Sequence, residues 1–236
     1  MMFIQWSIKK KKMKNPLLEY IVQKQKTANK YLIFRKIEVD CLIDGIDLSE
    51  VISTLEKRIP EYFFNGLKKI YIGDFRNDDD QRSFYKDSSL YVTVNNEEDL
   101  LRDICHELCH FLFDSYVIFD SPSISDEFMG KRRRLFDILS YEGYNPSRSL
   151  FARSDYNEKM DDYLHNEVGY GNLTSNIIGL FPDPYSVTSI QEYVSTCFEF
   201  FFIKDREYIK KICPATYKML EHLIGKNGKL YFVLRA

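Results

Sequence analysis

Residues 106–110 read His-Glu-Leu-Cys-His, inside a run, Asn96–Tyr116, whose residues suit a helix from end to end. On a helix, positions i and i+4 stack on one face, so His106 and His110 can aim two imidazoles at one point. Neutral imidazole is a preferred Zn²⁺ ligand, bonding at about 2.0–2.1 Å. Glu107 falls between them, beside the metal rather than on it, where a general base for a metal-activated water belongs. A catalytic zinc also needs a third protein ligand and an open fourth position. The motif therefore supplies two ligands and a base, and one ligand must come from elsewhere in the chain.

The elements that must position these groups follow from pattern. Asn15–Lys30 has helical spacing of Leu17, Leu18, Ile21 and Val22, and Tyr31–Val39 alternates as a strand. Asp47-Leu-Ser-Glu50 has the form of a capping box and predicts a helix to about Arg58, stopped near Pro60. Lys69–Asp74 alternates as a strand, Asn77–Ser89 is a polar loop, and Leu90–Val94 is a strand rich in β-branched and aromatic residues. Asn96 then caps the histidine helix, with Glu97, Glu98 and Asp99 suited to its first turn.

Beyond Tyr116 the pattern changes to helices. Asp120–Asp126 is a Ser/Pro loop, Glu127–Leu139 a helix, Asn145–Ser154 irregular, and Tyr156–Glu167 a helix ended at Gly169. Gly171–Tyr185 reads as loop. Helices are predicted over Ser189–Ile203, Arg206–Ile212 and Thr216–Ile224, with a short last strand at Lys229–Leu234. Strands before the histidine helix and helices after it imply an α+β fold, with a small N-terminal sheet and a mostly helical C-terminal lobe. The expected organisation is a tail and helix over 1–30, then one domain over 31–236 with lobes at about 31–118 and 119–236.

Composition narrows the function. Of 236 residues, 17 are Tyr and 18 are Phe, so rings must supply much of the core. A formal charge of −2 gives no global reason to expect nucleic acid or an anionic membrane as partner. The basic runs Lys9–Lys12 and Lys131–Arg134 read as a solvated tail and a solvated helix face. Asp78-Asp79-Asp80 lacks the ligand spacing of a calcium loop. Five scattered cysteines, four of them in helical pattern, read as buried thiols; Cys105 and Cys109 point about 100° away from their neighbouring histidines. His165 and His222 have no partner at ligand spacing. No secretory signal and no membrane span is evident, so the cytoplasm is the default expectation, and Met13 is a plausible alternative start.

The third ligand is sought among downstream acids. Glu192 and Glu199, seven apart, share a face of the 189–203 helix, and Glu167 is a further candidate. Asp114, four after His110, suits a supporting acceptor for a ring N–H as well as a ligand. Spacing alone favours neither glutamate.

Residues 185–217 add a resemblance. Glu192-Tyr193-Val194-Ser195-Thr196-Cys197-Phe198 resembles the E-[FY]-x-A-x-x-F helix of the anthrax lethal factor-like zinc peptidases. Tyr185 lies seven before that glutamate, and Cys213-Pro214-Ala215-Thr216-Tyr217 is similar to the family's A-P-x-T-[YF] stretch. The chain departs from the family pattern at Ser195, where an alanine is usual, and at Thr196, where an acid supports a ligand histidine. The resemblance covers about residues 48–220 as an order of elements and is specific only in the two metal segments. It implies a zincin-like fold, one catalytic Zn²⁺ held by His106, His110 and Glu192, and Tyr185 as the phenol that hydrogen-bonds the oxyanion or leaving group. The expected activity is endopeptidase cleavage of a protein or peptide, with Glu107 as the base. Two other functions fit the same residues: a catalytically degenerate binding or structural protein, and a zinc hydrolase of a non-peptide amide.

Overall fold

A hairpin whose turn is made by Phe34 and Arg35 starts the sheet, where the sequence predicts one unbroken strand. The computed structural model describes residues 16–75, 83–94, 96–116 and 121–225. The tail lysines at 9–12, Met13, the Asp78–Asp80 run and the expected last strand at 229–234 lie outside them. Helix α1 (Pro16–Lys24) stops six residues before its expected end, and β1 (Asn29–Ile33) and β2 (Ile37–Cys41) pair antiparallel. Phe34 and Arg35 have φ of 51° and 57°, so two non-glycine residues carry the left-handed turn that a tight hairpin needs. No Asn-Gly or Asp-Gly pair marks that turn in the sequence.

Helix α2 (Ser49–Arg58) crosses from β2 to the parallel strand β3 (Lys69–Gly73). Asp47 does not form the expected reciprocal box. Its Oδ1 instead accepts from the Ser49 amide at 2.9 Å and the Ser49 hydroxyl at 2.6 Å, fixing the turn that enters the helix. The polar stretch 77–89, a loop by sequence pattern, contains β4 (Phe84–Lys86), which pairs antiparallel with β5 (Ser89–Thr93). Asp87 and Ser88, both left-handed, turn between them. The sheet order is β1-β2-β3-β5-β4. β5 therefore lies between β3 and β4, and β4 is the terminal strand on that side.

The two faces of the sheet differ. Val39, Ile70, Ile72, Leu90 and Val92 are buried in the main core with residues of α2 and of α3 (Glu97–Ser115). On the other face Tyr71 stacks on Tyr91 (centroids 5.2 Å) and Phe84 on Tyr91 (4.8 Å), and Tyr91 joins Ile21 of α1 in a second, smaller cluster. The alternation of strand side chains produces this division.

The rest is helical. Helix α4 (Pro122–Tyr141) begins five residues ahead of expectation, because Pro122 occupies the first helical position, where no amide hydrogen is needed. Short helices α5 (Arg148–Phe151) and α6 (Glu158–Asp162) follow, and α6 runs into a π-helical turn at Tyr163–Val168. Gly169, at φ 78°, ends that turn and opens α7 (Tyr170–Asn176), inside the stretch expected to be loop. Helices α8 (Ile190–Phe202), α9 (Arg206–Ile212) and α10 (Pro214–Leu223) complete an α+β architecture.

Two expectations about charge and cysteine change. Lys131 and Arg132 are buried, not solvated: the Lys131 ammonium donates to the carbonyls of Leu180 (2.6 Å) and Ile212, and Arg132 donates to that of Arg153. Arg132 also lies over the Phe128 and Phe151 rings, which accept a cation on their faces. All five cysteines are free and buried; Cys41 is in β2, and Cys213 sits at the junction of α9 and α10 rather than in a helix interior.

One core spans the sheet and the helices. Phe198 of α8 is fully buried at its centre, with Phe63 at 5.7 Å and Phe202 at 4.6 Å between ring centroids. Phe198→Ala is expected to cost ~3–5 kcal/mol of stability, read as a lower midpoint in urea unfolding.

Candidate metal centre

Helix α3 is placed by its cap and its apolar stripe. Asn96 Oδ1 accepts from the Asp99 amide at 2.9 Å, capping the helix, while Leu100, Ile104, Leu108, Phe111 and Leu112 bury its inner stripe. The opposite stripe carries His106 and His110, whose ring centroids lie 4.9 Å apart. Helix α8 packs across α3 and is capped in the same way, Ser189 Oγ accepting from the Glu192 amide at 3.1 Å. That cap sets Glu192 in the first turn, facing the histidines.

The three side chains converge. His106 Nε2 is 2.9 Å from Glu192 Oε2, and His110 Nε2 is 3.4 Å from Glu192 Oε1. One donor atom from each lies within 4.8 Å of the others. Tetrahedral ligands at bonding distance from one zinc stand about 3.3 Å apart, so side-chain adjustments of about an ångström bring this set onto an ion. Two imidazoles and a carboxylate suit a borderline divalent cation. The three side chains keep 14–18% of their surface open, so the convergence point is reachable from the cleft. The group is thus close enough to bind a metal ion.

Electrostatics agree with that geometry. Burial penalises the Glu192 charge, but hydrogen bonds from His106 and His110 outweigh it and hold the carboxyl well below the usual range. Burial likewise disfavours charge on His106, and Glu192 and Glu199 reverse it, raising the imidazole well above its ordinary value. A divalent cation would take over the counter-charge that His106 supplies. Glu107 stands outside the ligand group, is 7% exposed, and has its carboxyl pushed up by burial against the pull of His110 and His106.

All of these residues line one cavity of about 1270 Å³. Tyr185, in the turn Tyr185–Val187 that precedes α8, lies on its wall within electrostatic reach of Glu192 and Glu107. Tyr185 keeps 42% of its surface open, and partial burial, then Glu192 and Asp161, push its phenol up, so it remains a donor. The other walls hold residues that sequence patterns do not single out. Asp161 accepts from the Tyr170 hydroxyl at 2.6 Å and from the Tyr156 hydroxyl at 3.2 Å, and the terminal strand β4 borders the same space at Phe84 and Tyr85. Nothing in local spacing marks these, because α6, α7 and β4 meet only in three dimensions.

The remaining candidates stand outside the ligand group. Glu199 is buried behind His106, on the Nδ1 side. Asp114 is exposed at the cavity wall rather than packed behind His110, and Glu167 is exposed on the π-helical turn, outside the cavity lining. The Cys105 and Cys109 thiols are fully buried and pushed up by that burial, which keeps them protonated. His165 is exposed beside the Tyr170 ring. The Pro214–Tyr217 stretch serves the packing of the helical lobe. Glu127 of α4 accepts from the amides of Ala215 and Thr216 and from the Tyr193 hydroxyl, tying α4, α8 and α10 together. No helix among the described residues is long and apolar enough to cross a membrane.

Comparison with known protein families, with curated proteins and with solved structures finds no match for this chain.

Proposed function

We propose that the chain is a zinc-dependent endopeptidase of the two-lobed zincin type, similar to the lethal factor-like peptidases. The observation that carries the reading is the convergence of His106, His110 and Glu192 beside a buried Glu107 in one cleft. Zn²⁺ in such a set supplies Lewis acidity, lowering the pKa of water toward neutrality and drawing charge from a carbonyl oxygen. Glu107, raised by burial, takes the proton from the attacking water and passes it to the departing amine. The Tyr185 hydroxyl, kept protonated, donates to the oxyanion or leaving group.

Strand β4 gives the cleft a place for an extended chain. It ends the sheet on that side, and a terminal strand offers backbone donors and acceptors to which a peptide can add as a further strand. The lining is strongly acidic. Asp103, Asp114, Asp161 and Asp183 accompany Glu107 and Glu192 on the wall. Among the described residues the one lysine or arginine in the lining is Arg102, which is committed to Asp99 and Glu199. Such a wall attracts cationic side chains and repels anionic ones.

The test joins metal analysis to a peptide library. The purified protein is expected to hold about one equivalent of zinc, to cleave library peptides, and to stop when the metal is chelated. Peptides with Lys or Arg beside the scissile bond should be cut faster than those with Asp or Glu, with the difference shrinking as salt rises. Protein without zinc sinks the reading. Zinc with no cleavage makes the chain a binding protein, and cleavage of non-peptide amides alone makes it an amidohydrolase.

A further inference from the structure

We propose that Glu199 is the positioning residue for the metal ligand His106, the carboxylate that fixes the ring's tautomer and orientation. The inference rests on the metal-centre reading and goes beyond it. Both histidines turn Nε2 toward Glu192, so Nε2 is the ligand atom and Nδ1 of His106 must carry the proton. That Nδ1 faces Glu199 Oε2 at 3.8 Å, an ion-pair rather than a hydrogen-bond separation, which a small ring movement onto the metal would close.

The two oxygens of Glu199 have separate partners. Oε1 is taken by Arg102 Nε and Lys204 Nζ, each at 2.7 Å, while Oε2 is the one that faces the imidazole. Two cations on one oxygen keep a carboxylate charged although only 5% of its side chain is exposed. Arg102, on α3 one turn before His106, also ties it across to the histidine helix, while Lys204 lies just past the end of α8. A buried carboxylate held rigidly against the non-ligating nitrogen is what orients a metal-binding histidine and raises its basicity. Thr196 does not do this: its buried hydroxyl lines the cleft one turn after Glu192 and makes no hydrogen bond among the described residues. The acidic support arrives instead from the following turn of α8.

Glu199→Gln keeps the shape and removes the charge. Zinc affinity, measured by competition with a chromophoric chelator, should fall roughly 10–100-fold, and the visible spectrum of the cobalt-substituted protein should change. Glu199→Asp should recover part of the affinity. A role confined to packing would lower the melting temperature of the metal-free protein and leave zinc affinity within about threefold of wild type, and that result overturns the proposal. If Glu199→Gln does not fold, the wild type decides alone. Its zinc-loaded form should show a slowly exchanging His106 Nδ1 proton in long-range ¹H–¹⁵N spectra, and a ring protonated at Nε2 overturns the proposal equally. Failure of the wild type to bind zinc would instead strike at the metal centre itself.

Discussion

Glutamine in place of Glu107 should lower kcat/KM for peptide cleavage by ~10²–10⁴-fold and leave zinc bound at wild-type stoichiometry. The size follows from what is removed. Glutamine has nearly the same volume and still accepts a hydrogen bond, so the cleft keeps its shape; it cannot take a proton. Glu107 is 7% exposed and burial pushes its carboxyl upward, toward the pH at which a base both accepts and releases a proton readily. A solvated carboxylate at the same place would be a weaker base. The loss should appear in kcat with KM little changed, because the group acts on the proton in flight rather than on bound peptide. Steady-state kinetics with metal analysis of the same preparation checks both halves. A variant that cleaves as fast as wild type removes Glu107 from the chemistry.

Much of this site could be read along the chain because its two helices announce themselves locally. Asn96 and Ser189 are both side-chain caps, each followed within one turn by the stripe that faces the partner helix. The His106–His110 spacing fixes a shared face before any tertiary structure is known. What stayed hidden depends on distant contacts. Glu192 and Glu199 lie on one face of α8, and only the way α8 crosses α3 puts the first on the Nε2 side of His106 and the second on the Nδ1 side. Spacing cannot distinguish two residues separated by an almost whole number of helical turns.

The same division holds in the fold. β3 and β5 carry their own alternation, whereas β4 is three residues long and takes strand geometry from pairing with β5. Lys131 and Arg132 read as surface because charge is usually solvated; here carbonyls exposed by the ends of other segments, at Leu180, Ile212 and Arg153, accept their hydrogens. The hairpins at Phe34-Arg35 and Asp87-Ser88 both place non-glycine residues at positive φ; Asp87 and Ser88 are turn-forming types, whereas nothing local marks Phe34-Arg35.

Glu192→Ala should abolish tight zinc binding and activity together, with a loss of affinity well beyond the ~10–100-fold that removing an outer partner costs. The carboxylate touches both histidines, 2.9 Å from one and 3.4 Å from the other, so its removal takes away a ligand and leaves two imidazoles facing an enlarged cleft. Zinc should then stop protecting the fold. A ligand at 100 times its Kd stabilises by about 2.7 kcal/mol, seen in wild type as a rise in melting temperature that the variant lacks. Coupling provides the sharper criterion. Glu199 acts on the metal only through His106, so once Glu192 is gone there is little affinity left for it to tune. Glu192→Ala combined with Glu199→Gln should bind zinc no more weakly than Glu192→Ala alone, a non-additivity expected of groups that serve one centre. Losses that simply add would mean that the two glutamates act independently, and the coupling through one centre would be disproved.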